Sequence, residues 1–285
     1  MKLKERIRYL FEKYNFSPNL SLSQNFLIDP KIASRIVEEA GLKREDSVLE
    51  VGAGTGVLTS YLVERAKKVW AVEIDERLCR ILKDELSDRE NLEVICKDII
   101  HLDLKKLFSD SGKEKIKVVG NLPYHVASFL LLHFARENWW DIMLFTIQRE
   151  VADKLLSPPG DKKRGVLTVL MSYYTDMERV IDIPPQAFYP PPRVSSTVVR
   201  IRKRKITPVK DEKLFTSTVK AAFSSKRKIL LNSIAKGLNL PRGLTREVLI
   251  KSGISEKKRA EELKIEDFIR ISNLLLERKV ASKCC

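Results

Sequence analysis

The sequence has no apolar run near the roughly 18 residues that a membrane-spanning helix needs, so no span is expected. Its opening, MKLKERIRYLFEKYNF, is broken by charges and holds no continuous apolar stretch, so a secretory signal is not expected. Cysteine is scarce: there are 4, at positions 79, 96, 284 and 285. No Cys-x-x-Cys pair and no Cys/His ligand spacing occurs. That argues against a disulfide framework and a zinc site, and for a reducing, cytoplasmic setting. The vicinal Cys284 and Cys285 read as a frayed tail. Internal repeats and low-complexity tracts are absent too. What remains is a globular chain of 285 residues, long enough for two domains or one large one and able to bury a core without staples.

Positive charge is present in excess, at a net +15. From Arg200 to Cys285 there are 23 Lys+Arg against 9 Asp+Glu, whereas residues 1–199 carry 30 against 29. The basic excess is therefore almost all in the last third. Such a block points to a polyanion, nucleic acid above all, although a solvated lysine-rich surface has the same composition.

Leu3, Ile7, Leu10, Phe11 and Tyr14 recur at helical spacing, so residues 2–15 are expected to form an amphipathic helix. FSPNLSLSQNFLIDP follows as a loop punctuated by two prolines. Asp29 and Pro30 read as N-cap and first helical residue of a helix ending near Ala40. Short apolar runs then alternate with helical patterns: Ser47–Val51, Val69–Ile74, Leu92–Cys96, Ile116–Val119 and Ile142–Ile147 as strands, Leu58–Ala66 and Glu76–Leu86 as helices. This alternation implies a parallel sheet covered on both faces. SPPGDKKRG, 157–165, reads as a mobile basic loop. Met177–Ile183 and Thr197–Ile201 read as strands flanking the Pro-rich IPPQAFYPPPRVSS. After about Lys205 the pattern turns helical, with segments at Leu214–Phe223, Lys226–Ala235, Arg246–Ser252 and Ile265–Glu277. The expected organisation is a catalytic α/β domain over 1–204 and a basic helical domain over 205–285.

The first strand runs into Glu50-Val51-Gly52-Ala53-Gly54-Thr55-Gly56. A phosphate-binding P-loop is excluded, because Val57 stands where its second glycine belongs and no lysine follows. The same Val57 breaks the dinucleotide fingerprint. Glu-x-Gly-x-Gly-x-Gly is instead the form used by S-adenosylmethionine enzymes. A tight strand-to-helix turn with no ligand remains the plain alternative for this loop alone. The later strand ends reinforce the cofactor reading. Glu73 follows Gly52 at the spacing at which an acid accepts both ribose hydroxyls. Asp98 is placed to accept from an adenine amine, with Ile74 and Ile99 on either side of the ring. Gly52, Glu73, Asp98 and Asn121 all fall at the carboxyl ends of strands, where open α/β sheets bind ligands.

GNLPYHVAS, 120–128, ends the next strand in a rigid corner. Pro123 fixes its own φ and biases Leu122 to an extended conformation, aiming the Leu122 carbonyl into the site. The Asn121 side-chain oxygen is a second acceptor, and Tyr124 supplies a flat ring. Two acceptors and a π-face describe a clamp for the exocyclic amine of an adenine. Hydrogen bonds from that amine to two carbonyls favour the pyramidal, nucleophilic nitrogen, so catalysis is expected to be positioning plus electrostatics, with no metal or strong base. The plain alternative is a capped strand-to-helix turn.

SQNFLIDP, VLEVGAGTGVLT, VEID, GNLPYHVAS, the stretch Gln148–Ala152 and AFYPPPRVSSTVV occur in one order. With FSSKRKILLNSI and GISEKKRAEELKIEDFIRI in the tail, the chain resembles the small-subunit ribosomal RNA adenine dimethyltransferase family from about Leu22 onward. The resemblance implies an α/β, class I (Rossmann-like) S-adenosylmethionine-dependent methyltransferase with a small all-helical C-terminal domain. It implies dimethylation of two adjacent adenosines near the rRNA 3′ end, in a pre-ribosomal particle, by a cytoplasmic monomer. It places Gln24, Asn25 and Leu27 over the methionine part of the cofactor, Gly52 beneath it, Glu73 on the ribose, Asp98 and Ile99 at the adenine, and Asn121 against both cofactor and amine. Phe188 is implied to face Tyr124 across the target base, ordinary core being the alternative. Ser23 stands where the family has Gly, and FSPNLSLS lacks the family's lysines, a role the basic face of residues 2–13 is placed to take. Macrolide-resistance methylases of large-subunit rRNA and a non-enzymatic assembly factor are the alternative readings. DNA adenine methylases, with their Asn/Asp-Pro-Pro-Tyr, are disfavoured by Leu122.

Overall fold

The computed structural model describes residues 2–19, 24–108, 115–123, 126–205, 207–225 and 227–281, with backbone alone for 279–281. Ser23, Tyr124, Lys226, Cys284 and Cys285 therefore lie outside the described residues. The chain divides into two compact units, one of residues 1–152 with 177–203, the other of 153–176 with 204–285. No helix among the described residues is long and apolar enough to cross a membrane.

The first unit opens with helix α1 (Leu3–Lys13), which buries Ile7, Leu10 and Phe11. These meet Phe16, Phe26, Leu78 and Ile81 in an aromatic-rich cluster. Strand β1 (Phe26–Leu27) precedes helix α2 (Pro30–Glu39). Asp29 caps α2 as its sequence implies, accepting the N–H groups of Lys31 and Ile32 at 2.9 and 3.2 Å. The chain then alternates through β2 (Ser47–Val51), α3 (Val57–Val63), β3 (Lys68–Glu73), α4 (Glu76–Glu85) and β4 (Leu92–Cys96). It continues through α5 (Leu104–Leu107), β5 (Ile116–Asn121), α6 (Ala127–Arg136), β6 (Trp140–Gln148), α7 (Arg149–Leu155) and α8 (Val166–Tyr174). After β7 (Thr175–Ile183), β8 (Phe188–Tyr189) and β9 (Ser196–Lys203) come α9 (Glu212–Ala222), α10 (Leu230–Gly237), α11 (Arg242–Lys251) and α12 (Ile265–Ala281).

Among the described residues, one sheet has the order β4-β3-β2-β5-β6-β9-β7. Its β4-β3-β2-β5-β6 portion is parallel and β9 pairs antiparallel with β6. The parallel strands read as unbroken apolar runs because helices cover both of their faces. The register sets Val51 beside Gly120 and Val72, so the carboxyl ends of β2, β3 and β5 finish together. A second, two-stranded ribbon pairs Phe26 with Tyr189 and Leu27 with Phe188.

In the helical unit, Tyr173 of α8 packs against Phe215 of α9 with ring centroids 4.7 Å apart and planes tilted by 41°. Phe223 meets Phe268 of α12 at 6.1 Å. Gly237 is required where α10 crosses α9: a Cβ there would come within 2.6 Å of the Ala221 Cβ.

Three expectations need correction. Residues 153–176 group with the C-terminal helices, because Tyr173 is part of their core. Segment 157–165 is pinned: the buried Arg164 guanidinium donates to the Ser157 carbonyl at 2.8 Å, and the Gly160 N–H to that of Glu261 at 2.8 Å. Finally, Cys79 and Cys96 are joined in a disulfide, with Cα atoms 5.9 Å apart. Helix α4 folds back over β4 and brings the two together across a separation of 17 residues, a spacing that carries no motif.

Candidate active site

The glycine loop after β2 is held by backbone bonds. The N–H groups of Gly52 and Ala53 both donate to the Val72 carbonyl, at 2.9 and 3.2 Å. Gly52 has φ +74°, in the left-handed region, and a Cβ there would stand 3.1 Å from the Asn121 backbone oxygen. The loop thus lies directly against the end of β5.

A pocket opens over these strand ends, lined by Gln24, Asn25, Phe26, Gly52, Glu73, Ile74, Asp98, Ile99, Asn121 and Pro123, among others. Nine of the thirteen residues expected at the site are therefore together in one place: Gln24, Asn25, Gly52, Glu73, Ile74, Asp98, Ile99, Asn121 and Pro123. Ile74 is 52 % exposed beside the buried Ile99, as apolar faces for a flat ring would be.

Glu73 has a second task. Its Oε1 accepts the N–H groups of Ile74 and Asp75 at 2.9 and 3.0 Å, and its Oε2 accepts that of Gly54 at 2.9 Å. With two lone pairs on each oxygen, Oε1 is filled and Oε2 has one position left. One acceptor position on Glu73 thus stays open beside the loop. Burial pushes the Glu73 carboxyl up, and the three backbone donors pull the other way. Below the loop, Glu50 is 1 % exposed, and burial pushes its carboxyl up to about 8.

Gln24 is turned toward the protein. Its Nε2 donates to Asp75 Oδ2 at 2.9 Å, and its Oε1 accepts the Asn19 N–H at 2.6 Å. Asp75 is held low first by its hydrogen bonds from Arg77, whose guanidinium lies 4.7 Å from the centre of the Phe16 ring. Gln24 therefore anchors the segment that roofs the pocket. Sequence reasoning gave Asp75 no role, although it stands in VEID two residues after Glu73.

At the corner, Asn121 Nδ2 donates to the Asn25 carbonyl at 3.1 Å. That bond assigns the amide: the nitrogen faces the roof and Oδ1 is the remaining acceptor. Leu122 is buried, and its N–H donates to the Thr146 carbonyl at 3.1 Å. Pro123 accepts from Val126 and Ala127, which starts α6.

Two expected residues sit elsewhere. Leu27 and Phe188, cross-strand partners, are 7 % and 3 % exposed and pack with Ala33, Ile36, Ile183 and Ala187. Adjacent residues in a strand point to opposite faces. Phe26 therefore takes the pocket position, and Phe188 belongs to the core. Val126, the N-cap of α6, and Leu130, one turn on, also line the pocket. Sequence reasoning singled out neither, although their i, i+4 spacing follows the corner directly.

The basic run Arg202-Lys203-Arg204-Lys205, at the start of the charged last third and one of two runs expected to contact phosphates with 226–228, is largely engaged. Arg202 pairs with Glu178 at 2.7 Å, and Arg204 with Glu266 at 3.0 Å. Lys203 Nζ donates to the carbonyls of Ala135 and Glu137, and burial pushes its ammonium down to about 8. Lys205, Arg227 and Lys228 are exposed.

A family model described as ribosomal RNA adenine dimethylase matches residues 15–277. The chain belongs to that family. "Ribosomal RNA small subunit methyltransferase A" of Bacillus mycoides is 39 % identical over 285 residues, 97 % of each chain. Its counterpart in Clostridioides difficile is 41 % identical over 277 residues, 95 % of each. A dimethyladenosine transferase from Plasmodium falciparum superposes with a TM-score of 0.75 at 25 % identity, covering 90 % of this chain and 98 % of that one. The 23S rRNA methyltransferase ErmE gives 0.68 at 28 % identity, covering 88 % and 99 %. The fold is the class I, Rossmann-like methyltransferase fold with a helical C-terminal part.

Proposed function

We propose that the chain transfers methyl groups from S-adenosylmethionine to the exocyclic amines of two adjacent adenosines near the 3′ end of small-subunit rRNA, two to each. The act belongs to ribosome biogenesis, on a pre-ribosomal particle, by a cytoplasmic monomer. The observation that carries the reading is the orientation of Asn121, whose amide nitrogen is tied to Asn25 and whose oxygen is therefore an acceptor beside the glycine loop.

The residues present fit the cofactor. Gly52 leaves space that a Cβ would fill, Glu73 keeps one acceptor position for the ribose, and Ile74 and Ile99 offer faces for the adenine beside Asp98. Bound there, S-adenosylmethionine supplies an electrophilic methyl group on a sulfonium. The chain's own part is to place the nucleophile. In the first transfer Asn121 Oδ1 and the Leu122 carbonyl accept the two N–H bonds of the adenine amine, drawing its lone pair out of the ring; in the second the monomethylated amine has one N–H left to give, and the proton displaced each time passes to solvent. Holding the amine in this geometry removes orientational freedom from the reaction. The target base must leave its stack, at a cost of a few kcal/mol that a loop or single strand lowers.

Incubating the pure protein with methyl-labelled cofactor and immature small subunits tests this. Label on two neighbouring adenosines is expected. Label on large-subunit RNA instead, or binding without transfer, would replace the reading with a resistance-type methylase or an assembly factor.

A further inference from the structure

Helix α6 leaves the catalytic corner with its N-cap Val126 and its Leu130 lining the pocket and with Leu131, Phe134 and Ala135 buried in the core. Its outer face is unusual for a solvated helix. Phe129 is 54 % exposed and stands one turn beyond Val126. Four residues on, the exposed imidazole of His133 lies parallel to the Phe129 ring, with 5° between planes and 5.9 Å between centroids. Arg136, also exposed, follows on the same side at the end of the helix. A single exposed apolar residue is ordinary. Two parallel, stacked rings, both exposed on the helix that carries the pocket wall, leave a π-face open to solvent beside a cation at the helix end. Flat rings beside positive charge are how proteins hold unpaired bases.

We propose that Phe129 and His133 form a stacking shelf for an unpaired base of the substrate RNA, the neighbour of the adenosine in the pocket. The inference rests on the rRNA-methylation reading and deepens it. Two adjacent adenosines that react in turn cannot both occupy one pocket. While one is extruded, the other has lost a stacking partner, and the shelf replaces it. The occupant is the second of the two adjacent adenosines, an RNA base that a π-face beside a cation suits.

The test uses the full-length protein, a hairpin RNA with two adjacent loop adenosines, and the variants Phe129→Ala, Phe129→Leu and Phe129→Trp. Phe129→Ala is expected to weaken hairpin binding roughly 5- to 150-fold, the range for losing one base–aromatic stack. Phe129→Leu, apolar but not flat, stays weak, and Phe129→Trp recovers binding to within a few-fold of wild type. Cofactor affinity and melting temperature stay unchanged in all three. Wild-type binding by Phe129→Ala overturns the shelf, as does recovery by leucine. Loss confined to assembled subunits, with hairpin binding intact, overturns it in favour of a ribosomal-protein contact. If the wild-type protein methylates no rRNA adenosine, the underlying reading fails and the shelf with it. That outcome is distinct, because it appears without any variant.

Discussion

The side-chain nitrogen of Asn121 lies 3.1 Å from the backbone oxygen of Asn25. One hydrogen bond therefore joins the end of β5 to the segment that roofs the pocket, and it decides which way the amide faces. An aspartate at the same place has no N–H to give and would repel the Asn25 oxygen. Asn121→Ala is expected to lower turnover by about two to three powers of ten, the usual effect of deleting a transition-state hydrogen-bond partner. Asn121→Asp is expected to do the same and to weaken cofactor binding as the roof loosens. Turnover and melting temperature measured together check this; full activity, or a collapsed melting temperature, contradicts it.

Phe188 gives a prediction of the opposite kind. At 3 % exposure, packed with Leu27 and Ala187, it behaves as core. Phe188→Ala should cost about 3–5 kcal/mol of stability, the range for truncating a buried aromatic. Phe188→Leu should recover most of that loss together with full turnover. Unchanged stability with lost turnover in Phe188→Leu would return the residue to the target base.

Glu50 makes stability depend on pH. Its carboxyl moves from 4.5 to about 8 on folding, so in that window the folded chain holds a proton that the unfolded chain has released. The contribution is fully present below pH 4.5 and fades as pH rises to about 8. The loss runs at about 1.4 kcal/mol per pH unit. Glu50→Gln should flatten the fall in denaturant midpoint across this window, leaving the slope due to Glu73, whose carboxyl is raised as well. An unchanged slope contradicts the assignment.

Exposed basic residues of the helical unit should grip phosphates. Replacing Lys205, Arg227 and Lys228 with glutamine should reduce the slope of log K against log salt by about 2, at roughly 0.7 per phosphate on single strands. The engaged Arg202 and Arg204 serve as controls and should change the slope less. A slope equal to wild type in the triple variant would place the RNA contact elsewhere.

The legible part of the site lies where chemistry and backbone demand the same residues. The glycine loop needs positive φ at Gly52, the acids fall at strand ends, and Pro123 makes the corner visible. The apolar runs were long enough to place β2 through β6 to within a few residues. The ribbon of β1 and β8 was not legible, because two residues are too few for any period to show. Without the ribbon, sidedness was lost: Leu27 was expected where Phe26 stands, and Phe188 was put at the base. A shift of one residue reverses the face of a strand. The basic run at 202–205 reads from sequence as a phosphate contact or solvated surface, because sequence does not reveal the partners Glu178 and Glu266. Residues 153–176 look continuous with the α/β domain in sequence, since their ties to the helical unit, such as Tyr173 against Phe215 and the Gly160 N–H on the Glu261 carbonyl, are long-range contacts that no local pattern shows.

The most direct test is a crystal structure of the protein soaked with S-adenosylmethionine. The adenine is expected between Ile74 and Ile99, one ribose hydroxyl on Glu73 Oε2, and the methyl group facing Asn121 Oδ1 with the Asn25 bond intact. A donor lodged elsewhere, or an Asn121 amide flipped so that its nitrogen meets the methyl, would contradict the account.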